Sequence, residues 1–200
     1  MKRTHNFNPV KLIITAVFLT GFTTVQCGYG QETKPEIPEK KQTTLELYVT
    51  ATEAYEKWTA NPKNVNILDV RTPEEYIFIG HAEMAWNIPL VFQTYNWDAV
   101  KGHFSEKPNP DFLDLVKDLF KPEDILLITC RSGGRSAAAV NILAENGYIN
   151  VYTITDGMEG DMVNDPGNLF NGKRMKNGWK NSGLPWTYEI DPTKMKLTEE

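Results

Sequence analysis

The sequence is poor in the residues that build metal sites, disulfides and nucleic-acid interfaces. Among its 200 residues are two cysteines and three histidines, and acidic residues outnumber basic ones by 26 to 21. An acidic chain is a poor nucleic-acid binder, because that affinity comes mostly from neutralised phosphates. The apolar run near the N-terminus is too short to span a bilayer, which takes about 20 consecutive apolar residues. The acidic charge balance therefore predicts no nucleic-acid partner. The sequence also has no internal repeats, so we expect no repeat architecture.

Residues 1–30 have the layout of a secretory signal peptide. Lys2 and Arg3 precede an apolar run over residues 12–19, and glycines occupy positions 28 and 30. This pattern predicts cleavage before Gln31 and a mature protein that is periplasmic or secreted in a bacterium. The competing hypothesis is a lipidated Cys27 that holds the protein at a membrane. Gln26 disfavours it, because lipoprotein signals normally have a small residue before the cysteine.

The mature chain would retain a single cysteine, Cys130. Cleavage removes three of the 21 basic residues and no acidic ones, so the formal net charge falls from −5 to −8. Such a chain repels small anions at long range, so any anion-binding site must be locally positive. Cys130 has no intramolecular disulfide partner in an oxidising compartment, and with only His81 and His103 it cannot complete a zinc site. We therefore predict a thiol that has a function, with no metal and no cofactor.

Cys130 lies in the stretch that carries the chemistry, residues 124–136. The apolar run before it predicts a buried strand, and the segment Ser136 to Asn146 predicts a helix. A cysteine between a strand end and a helix start is close to backbone N–H groups and the positive end of the helix dipole. Arg131 and Arg135 add positive charge, and such surroundings favour the reactive thiolate. The alternative, an inert core cysteine, fits poorly with two arginines and two glycines beside it.

A second polar cluster follows another predicted central strand, Val65 to Val70. Asp69 and Arg71 flank the C-terminal end of that strand, where open α/β sheets place their ligands. The two are interpreted either as a buried ion pair or as direct substrate ligands. Strands alternate with helices along the whole chain. This alternation indicates one α/β domain with a central, mostly parallel sheet covered by helices on both faces.

Both stretches resemble signatures of the rhodanese family of sulfurtransferases. Residues 130–136, Cys-Arg-Ser-Gly-Gly-Arg-Ser, resemble its active loop, and residues 68–76, Leu-Asp-Val-Arg-Thr-Pro-Glu-Glu-Tyr, resemble its other signature. Gly80-His81, Asn87-Ile-Pro89 and the turn at residues 156–160 match further motifs in the same order. The chain departs from the family at residues 82–85, where a larger aliphatic residue and a glycine are usual.

The resemblance implies a sulfurtransferase in which Cys130 is the nucleophile. Its thiolate would take sulfur from a small anionic donor such as thiosulfate, hold it as a persulfide, and pass it to cyanide or a thiol. Asp69 and Arg71 would support the active loop from behind. The residues implied to bind the donor are Arg131, Ser132, Gly133, Gly134, Arg135 and Ser136.

Two other functions stay open on the sequence alone. A sulfur-carrier domain that receives sulfur from a protein partner would keep the same cysteine and arginines. A cysteine phosphatase or arsenate reductase has its arginine at the sixth position after the cysteine. Here Ser136 occupies that position and Arg135 falls one residue short, so the loop is smaller than a phosphate-binding loop of that kind.

We expect the domain to span residues 43–188. Residues 31–42 predict a flexible tether, and residues 189–200 predict a polar, disordered tail. An insertion at 161–177 predicts a solvated surface loop, with a basic gate over the site as the alternative. A second long stretch, residues 91–109, is interpreted as covering the core edge, with a wall of the active-site cleft as the alternative. The side chains in question there are Phe92, Tyr95, Trp97, His103 and Phe104.

Overall fold

A computed structural model describes residues 36–197 of the chain. The predicted signal peptide, its cleavage site and Cys27 lie outside the described residues. Within the described range, no helix is long and apolar enough to cross a membrane. That same part of the chain contains no group of His, Cys, Asp and Glu side chains placed to hold a metal ion.

A parallel sheet of five strands forms the centre of the domain. The strands of the described residues are β1 (Tyr48–Val49), β2 (Val65–Asp69), β3 (His81–Ala82), β4 (Trp86–Asn87), β5 (Val91–Asp98), β6 (His103–Pro108), β7 (Ile125–Thr129), β8 (Val151–Ile154) and β9 (Trp186–Thr187). The central sheet has the order β1-β8-β7-β2-β4. Two antiparallel pairs, β3 with β9 and β5 with β6, lie outside it. Because the central strands are parallel, their C-terminal ends share one edge of the sheet, where Asp69 and Cys130 both lie.

Helices cover both faces of this sheet, as the sequence predicts. Successive strand residues point to opposite faces, and neighbours such as Leu126 and Leu127 belong to two different core clusters. Helices α3 (Phe112–Leu119) and α4 (Gly134–Glu145) pack on one face, and α1 (Ala51–Ala60) packs on the other. The α/β prediction is confirmed.

Two helices begin at capping boxes, in each of which a threonine is followed three residues later by a glutamate. Thr50 accepts a hydrogen bond from the Glu53 backbone N–H, and the Glu53 carboxylate accepts one from the Thr50 N–H. Thr72 and Glu75 form the same pair at the start of α2 (Pro73–Ile79), where Pro73 occupies a first-turn position. Proline costs little there, because the first turn has no intrahelical use for its missing N–H.

The N-terminal boundary of the domain differs from the prediction. Residues Glu39–Lys41 form a 3₁₀ turn, and Lys41 is buried. Its ammonium lies 2.8 Å from the Asp161 carboxylate, at the start of the insertion. The prediction of a flexible tether over 31–42 is therefore wrong for its last residues, because a long-range ion pair anchors them.

The C-terminal tail is also more ordered than predicted. Residues Pro192–Lys194 form a 3₁₀ turn, and Met195 pairs with Asn87 on β4. The Lys196 N–H donates to the Asn87 carbonyl at 2.8 Å. The prediction of a disordered tail is wrong for these residues, because they pair with the outer edge of β4, the last strand of the sheet.

The insertion at 161–177 is a largely exposed loop whose two ends meet. Gly160 and the Asn177 carbonyl are in such close contact that a Cβ on Gly160 would lie 1.7 Å from that oxygen. The segment after it, residues 178–183, forms turns. Trp179 is nevertheless fully buried, and its indole N–H donates to the Pro185 carbonyl at 2.8 Å.

Candidate active site

Cys130 lies at the junction between the central strand β7 and helix α4. The Gly133 N–H donates a hydrogen bond to the Cys130 Sγ, with the nitrogen 3.2 Å from the sulfur. Helix α4 starts one residue later, so the positive end of its dipole faces the same sulfur. Although Cys130 is only 2% exposed, it lines a cavity. It is therefore buried on one side and open to a ligand on the other.

The active loop needs glycine at two positions outside the usual backbone range. Gly133 has φ +100°, and a Cβ on it would lie 2.4 Å from the Thr155 carbonyl oxygen. Gly157 has φ +62°, and a Cβ there would lie 2.5 Å from the Cys130 carbonyl oxygen. Both contacts are closer than a side chain tolerates, and L residues rarely adopt such φ values. The turn after β8 therefore packs directly against the loop that carries the cysteine.

Backbone hydrogen bonds from this turn hold the loop in place. The Met158 N–H donates to the Cys130 carbonyl at 2.7 Å, and the Glu159 N–H donates to the Arg131 carbonyl at 3.0 Å. Asp156 anchors the turn by accepting from the N–H groups of Ala51 and Gly178. Burial raises the pKa of Asp156, against the effect of these hydrogen bonds. The turn after β8, at the same edge of the sheet, thus holds the active loop in position.

Arg135, which is predicted to bind the donor, is already paired with an acidic side chain. Its Nη1 and Nη2 lie 2.6 and 2.7 Å from the two carboxylate oxygens of Glu75. Burial would lower the pKa of Arg135, but the hydrogen bonds and charge of Glu75 raise it above its usual range. Burial likewise would raise the pKa of Glu75, and Arg135 holds it below its ordinary value instead. The guanidinium lines the cavity but is already neutralised by its partner.

Asp69 and Arg71 form a fully buried ion pair behind the site. Arg71 Nη2 lies 2.6 Å from Asp69 Oδ2 and 2.8 Å from the Gly80 carbonyl. The Asn87 side-chain amide donates to the backbone carbonyls of both residues. Neither charged side chain lines the cavity around Cys130. Of the two interpretations, the geometry favours structural support, and the positive charge of Arg71 also helps keep the pKa of Glu75 low.

The remaining loop residues are placed unequally around the sulfur. Arg131 is exposed at the cavity rim and forms no ion pair with any residue in the range 36–197. Ser132 and Gly134 also line the cavity. Ser136 does not, because it is fully buried in the first turn of α4. Its predicted contact with the donor is therefore wrong, and its hydroxyl is without a hydrogen-bond partner among the described residues.

The opposite wall of the cavity is the hairpin formed by β5 and β6. The cavity has a volume of about 650 Å³. The interpretation of residues 91–109 as cover for the core edge is wrong for its central part, because Tyr95, Trp97 and Phe104 are exposed. The cleft-wall alternative fits the structure. Hairpin residues that line the cavity are Gln93, Trp97, Gly102, His103, Phe104 and Glu106.

The sequence does not reveal Glu75 as part of the site, and it offers the hairpin only as an alternative wall of the cleft, without Gln93 or Glu106. Glu75 is identified from sequence only as the last residue of a capping box, although its carboxylate also binds Arg135 across 60 positions. The basic insertion, considered as a gate, contributes no residue to the cavity lining. The signal available for the hairpin is the density of aromatic residues in 91–109. That density does not distinguish side chains that cover the core edge from side chains that line the active-site cleft.

Comparisons with known proteins agree with this architecture. The family described as "Rhodanese-like domain" matches residues 50–162. An uncharacterised protein of Rickettsia conorii is 31% identical over 140 residues, covering 70% of this chain and 96% of the relative. Thiosulfate sulfurtransferase 16, chloroplastic, of Arabidopsis thaliana is 39% identical over 90 residues, covering 45% of this chain and 68% of the relative.

A solved structure extends the similarity to three dimensions. The crystal structure of Rv0390 from M. tuberculosis has 26% sequence identity and a TM-score of 0.55, and covers 71% of this chain and 97% of its own. The matched region of the family includes both β2 with Asp69 and β7 with Cys130. On the sequence match and the fold together, this chain belongs to the rhodanese-like domain family.

Proposed function

We propose that the protein is a sulfurtransferase that moves sulfane sulfur from thiosulfate or a similar small anionic donor to cyanide or a thiol. The observation that carries the proposal is the placement of Cys130. Its sulfur lies at the base of a cavity, accepts a hydrogen bond from Gly133, and faces the N-terminus of α4. Such an environment stabilises a negative charge on sulfur. Both the thiolate and the persulfide anion carry that charge.

The reaction proceeds in two half-reactions on the same sulfur. The Cys130 thiolate attacks the outer sulfur of thiosulfate, the S–S bond of the donor breaks, and sulfite leaves with the bonding electrons. A persulfide now remains on Cys130. Cyanide or a thiolate then attacks the terminal sulfur, and the Cys130 thiolate leaves. A covalent intermediate shared by two substrates predicts ping-pong kinetics.

Arg131 is the residue best placed to attract the donor. It is exposed at the cavity rim, whereas Arg135 is neutralised by Glu75. The same pairing argues against a cysteine phosphatase, because a phosphoryl group needs a free guanidinium to stabilise its equatorial oxygens. The loop from Cys130 to Arg135 is also one residue shorter than the loop of cysteine phosphatases, in which the arginine is the sixth residue after the cysteine. We further propose that the protein acts after export, on the basis of its N-terminal sequence pattern.

The proposal is tested by replacing Cys130 with serine. A hydroxyl is a poor nucleophile and cannot carry a persulfide, so thiocyanate formation from thiosulfate and cyanide should fall to the uncatalysed rate. Mass spectrometry of the wild type after incubation with thiosulfate should show one added sulfur atom on the peptide that contains Cys130. Circular dichroism of both proteins serves as the folding control.

Two results would contradict the proposal. Residual activity in Cys130→Ser within tenfold of the wild type would remove Cys130 as the nucleophile. A wild type that accepts sulfur on Cys130 yet shows no turnover with cyanide or any thiol would indicate a sulfur carrier instead. Phosphatase turnover that vanishes in Cys130→Ser would reverse the choice between the two kinds of enzyme.

A further inference from the structure

The hairpin that faces Cys130 is a separate, anchored element of the domain. Strands β5 and β6 pair only with each other in the described part of the chain. At the base, the Asn109 N–H donates to the Leu90 carbonyl, and the Asn109 side chain donates to the Pro89 carbonyl at 2.7 Å. At the tip, Asp98 accepts from the N–H groups of Val100 and Lys101. Both ends are fixed by hydrogen bonds, so the hairpin can present a preformed surface.

Two aromatic side chains of this hairpin are directed at the cavity without being buried. Trp97 and Phe104 face each other across the two strands with ring centroids 5.3 Å apart, in an edge-to-face arrangement. Trp97 is 58% exposed and Phe104 is 46% exposed. Aromatic rings stabilise a fold chiefly through the area that they bury. A pair left this open contributes little to the fold and offers apolar area to a ligand.

The cavity is much larger than the donor requires. At about 650 Å³, it holds far more than a small inorganic ion, and its lining includes polar as well as aromatic side chains. Thiosulfate and cyanide are small inorganic ions that occupy only the end next to Cys130. The remaining volume extends along the hairpin, past Trp97 and Phe104. A second, larger substrate is the partner that this volume fits.

The charges around the cavity indicate an organic body without multiple negative charges. Glu75 neutralises Arg135, and the Glu106 carboxylate lies 3.8 Å from the same guanidinium. Arg131 lies on the side of the active loop and has no ion-pair partner among residues 36–197. The hairpin side therefore combines aromatic rings with a carboxylate. Such a wall favours an apolar group and disfavours a polyanion.

We propose that the hairpin is an acceptor-binding surface and that the acceptor is an organic thiol with an aromatic or extended apolar body. The body packs against Trp97 and Phe104, which places the thiolate at the terminal sulfur of the Cys130 persulfide. A new S–S bond forms on the acceptor as the bond to Cys130 breaks, and Cys130 leaves as a thiolate. The acceptor departs as an organic persulfide. This inference rests on the sulfurtransferase function proposed above.

The test uses the persulfide form of the full chain, prepared with thiosulfate, and three acceptors. Benzyl mercaptan carries an aromatic ring, 2-mercaptoethanol carries a similar thiol without one, and cyanide is the smallest. In the wild type, kcat/KM for benzyl mercaptan should exceed that for 2-mercaptoethanol by about tenfold or more. Trp97→Ala and Phe104→Ala should each lower the benzyl mercaptan value by roughly 3- to 10-fold more than the other two values. Trp97→Phe should retain most of the preference.

Tyr95→Ala is the matched control, because Tyr95 lies on the same hairpin, is 91% exposed and does not line the cavity. Its acceptor values should equal those of the wild type. Equal losses with all three acceptors in Trp97→Ala and Phe104→Ala would make the aromatic pair structural and overturn the inference. Absence of any preference for benzyl mercaptan in the wild type would overturn it as well, while turnover with cyanide kept the sulfurtransferase function intact. Failure of the wild type to turn over with cyanide and with both thiols would remove both the inference and the sulfurtransferase function.

Discussion

Replacing Glu75 by glutamine tests whether the Glu75–Arg135 pair holds the active loop. The carboxylate binds both terminal nitrogens of Arg135, and the two side chains are 21% and 19% exposed. Glutamine keeps the shape of the side chain and one oxygen acceptor but loses the charge and the second acceptor. Arg135 would then keep only its longer ion pair, with the Glu106 carboxylate 3.8 Å away.

The magnitude follows from the kind of contact that is lost. A hydrogen bond to a charged group contributes about 1.5–3 kcal/mol, and more where both partners are fully buried. Since the pair is one-fifth exposed, we expect Glu75→Gln to lower the free energy of unfolding by about 1.5–3 kcal/mol. For a domain of this size the melting temperature should fall by roughly 3–10 °C. Turnover should fall too, because Arg135 belongs to the loop that positions Cys130.

The destabilisation caused by Glu75→Gln should become smaller as the pH falls below the ordinary pKa of a glutamate. The folded state holds the pKa of Glu75 below its ordinary value of 4.5, so the pair stabilises the fold fully above that pH. As the pH falls through the lowered pKa, the carboxylate becomes protonated and the stabilisation is lost. The difference in unfolding free energy between wild type and Glu75→Gln should therefore be constant near neutral pH and shrink below about pH 4.5.

Urea denaturation followed by tryptophan fluorescence measures these differences. Glu74→Gln is the control, because Glu74 is the exposed neighbour on the same helix turn and forms no ion pair within residues 36–197. A double-mutant cycle with Arg135→Gln isolates the pairwise coupling energy. A Glu75→Gln loss below about 0.5 kcal/mol, or a difference that widens as the pH falls, would refute this account of the loop.

Two further substitutions separate the backbone of the loop from its charge. Gly133→Ala should destabilise the domain by roughly 1–3 kcal/mol and slow turnover, because Gly133 has φ +100° and a Cβ there meets the Thr155 carbonyl; unchanged urea unfolding with full activity would contradict it. Arg131→Ala should lower kcat/KM for thiosulfate by roughly 3- to 10-fold, and by more at low than at high salt, because an exposed cation attracts the dianionic donor over about a Debye length. Arg131→Lys should restore most of the rate. A loss that does not depend on salt would assign Arg131 another role.

Local sequence patterns predict the parts of this protein that are decided over short distances. The capping boxes at Thr50 and Thr72 start their helices because each involves groups three residues apart. The run before Cys130 predicts β7 because its apolar residues fill both faces of a buried parallel strand. The position of Cys130 between that strand and the glycine-rich start of α4 indicates a reactive thiol, because the backbone N–H groups around it belong to residues close to it in the sequence. These features depend on residues that lie close together in the sequence.

The tertiary structure alone decides which side chains meet over long distances. Arg135 is paired with Glu75, since α2 and the active loop lie side by side at one edge of the sheet. Lys41 becomes buried because it finds Asp161 120 positions away. The hairpin becomes a wall of the site only because the sheet places it opposite Cys130. An aromatic or a charged residue shows the same local pattern whether it covers a core, a partner or a ligand, so its role depends on contacts that only the folded chain creates.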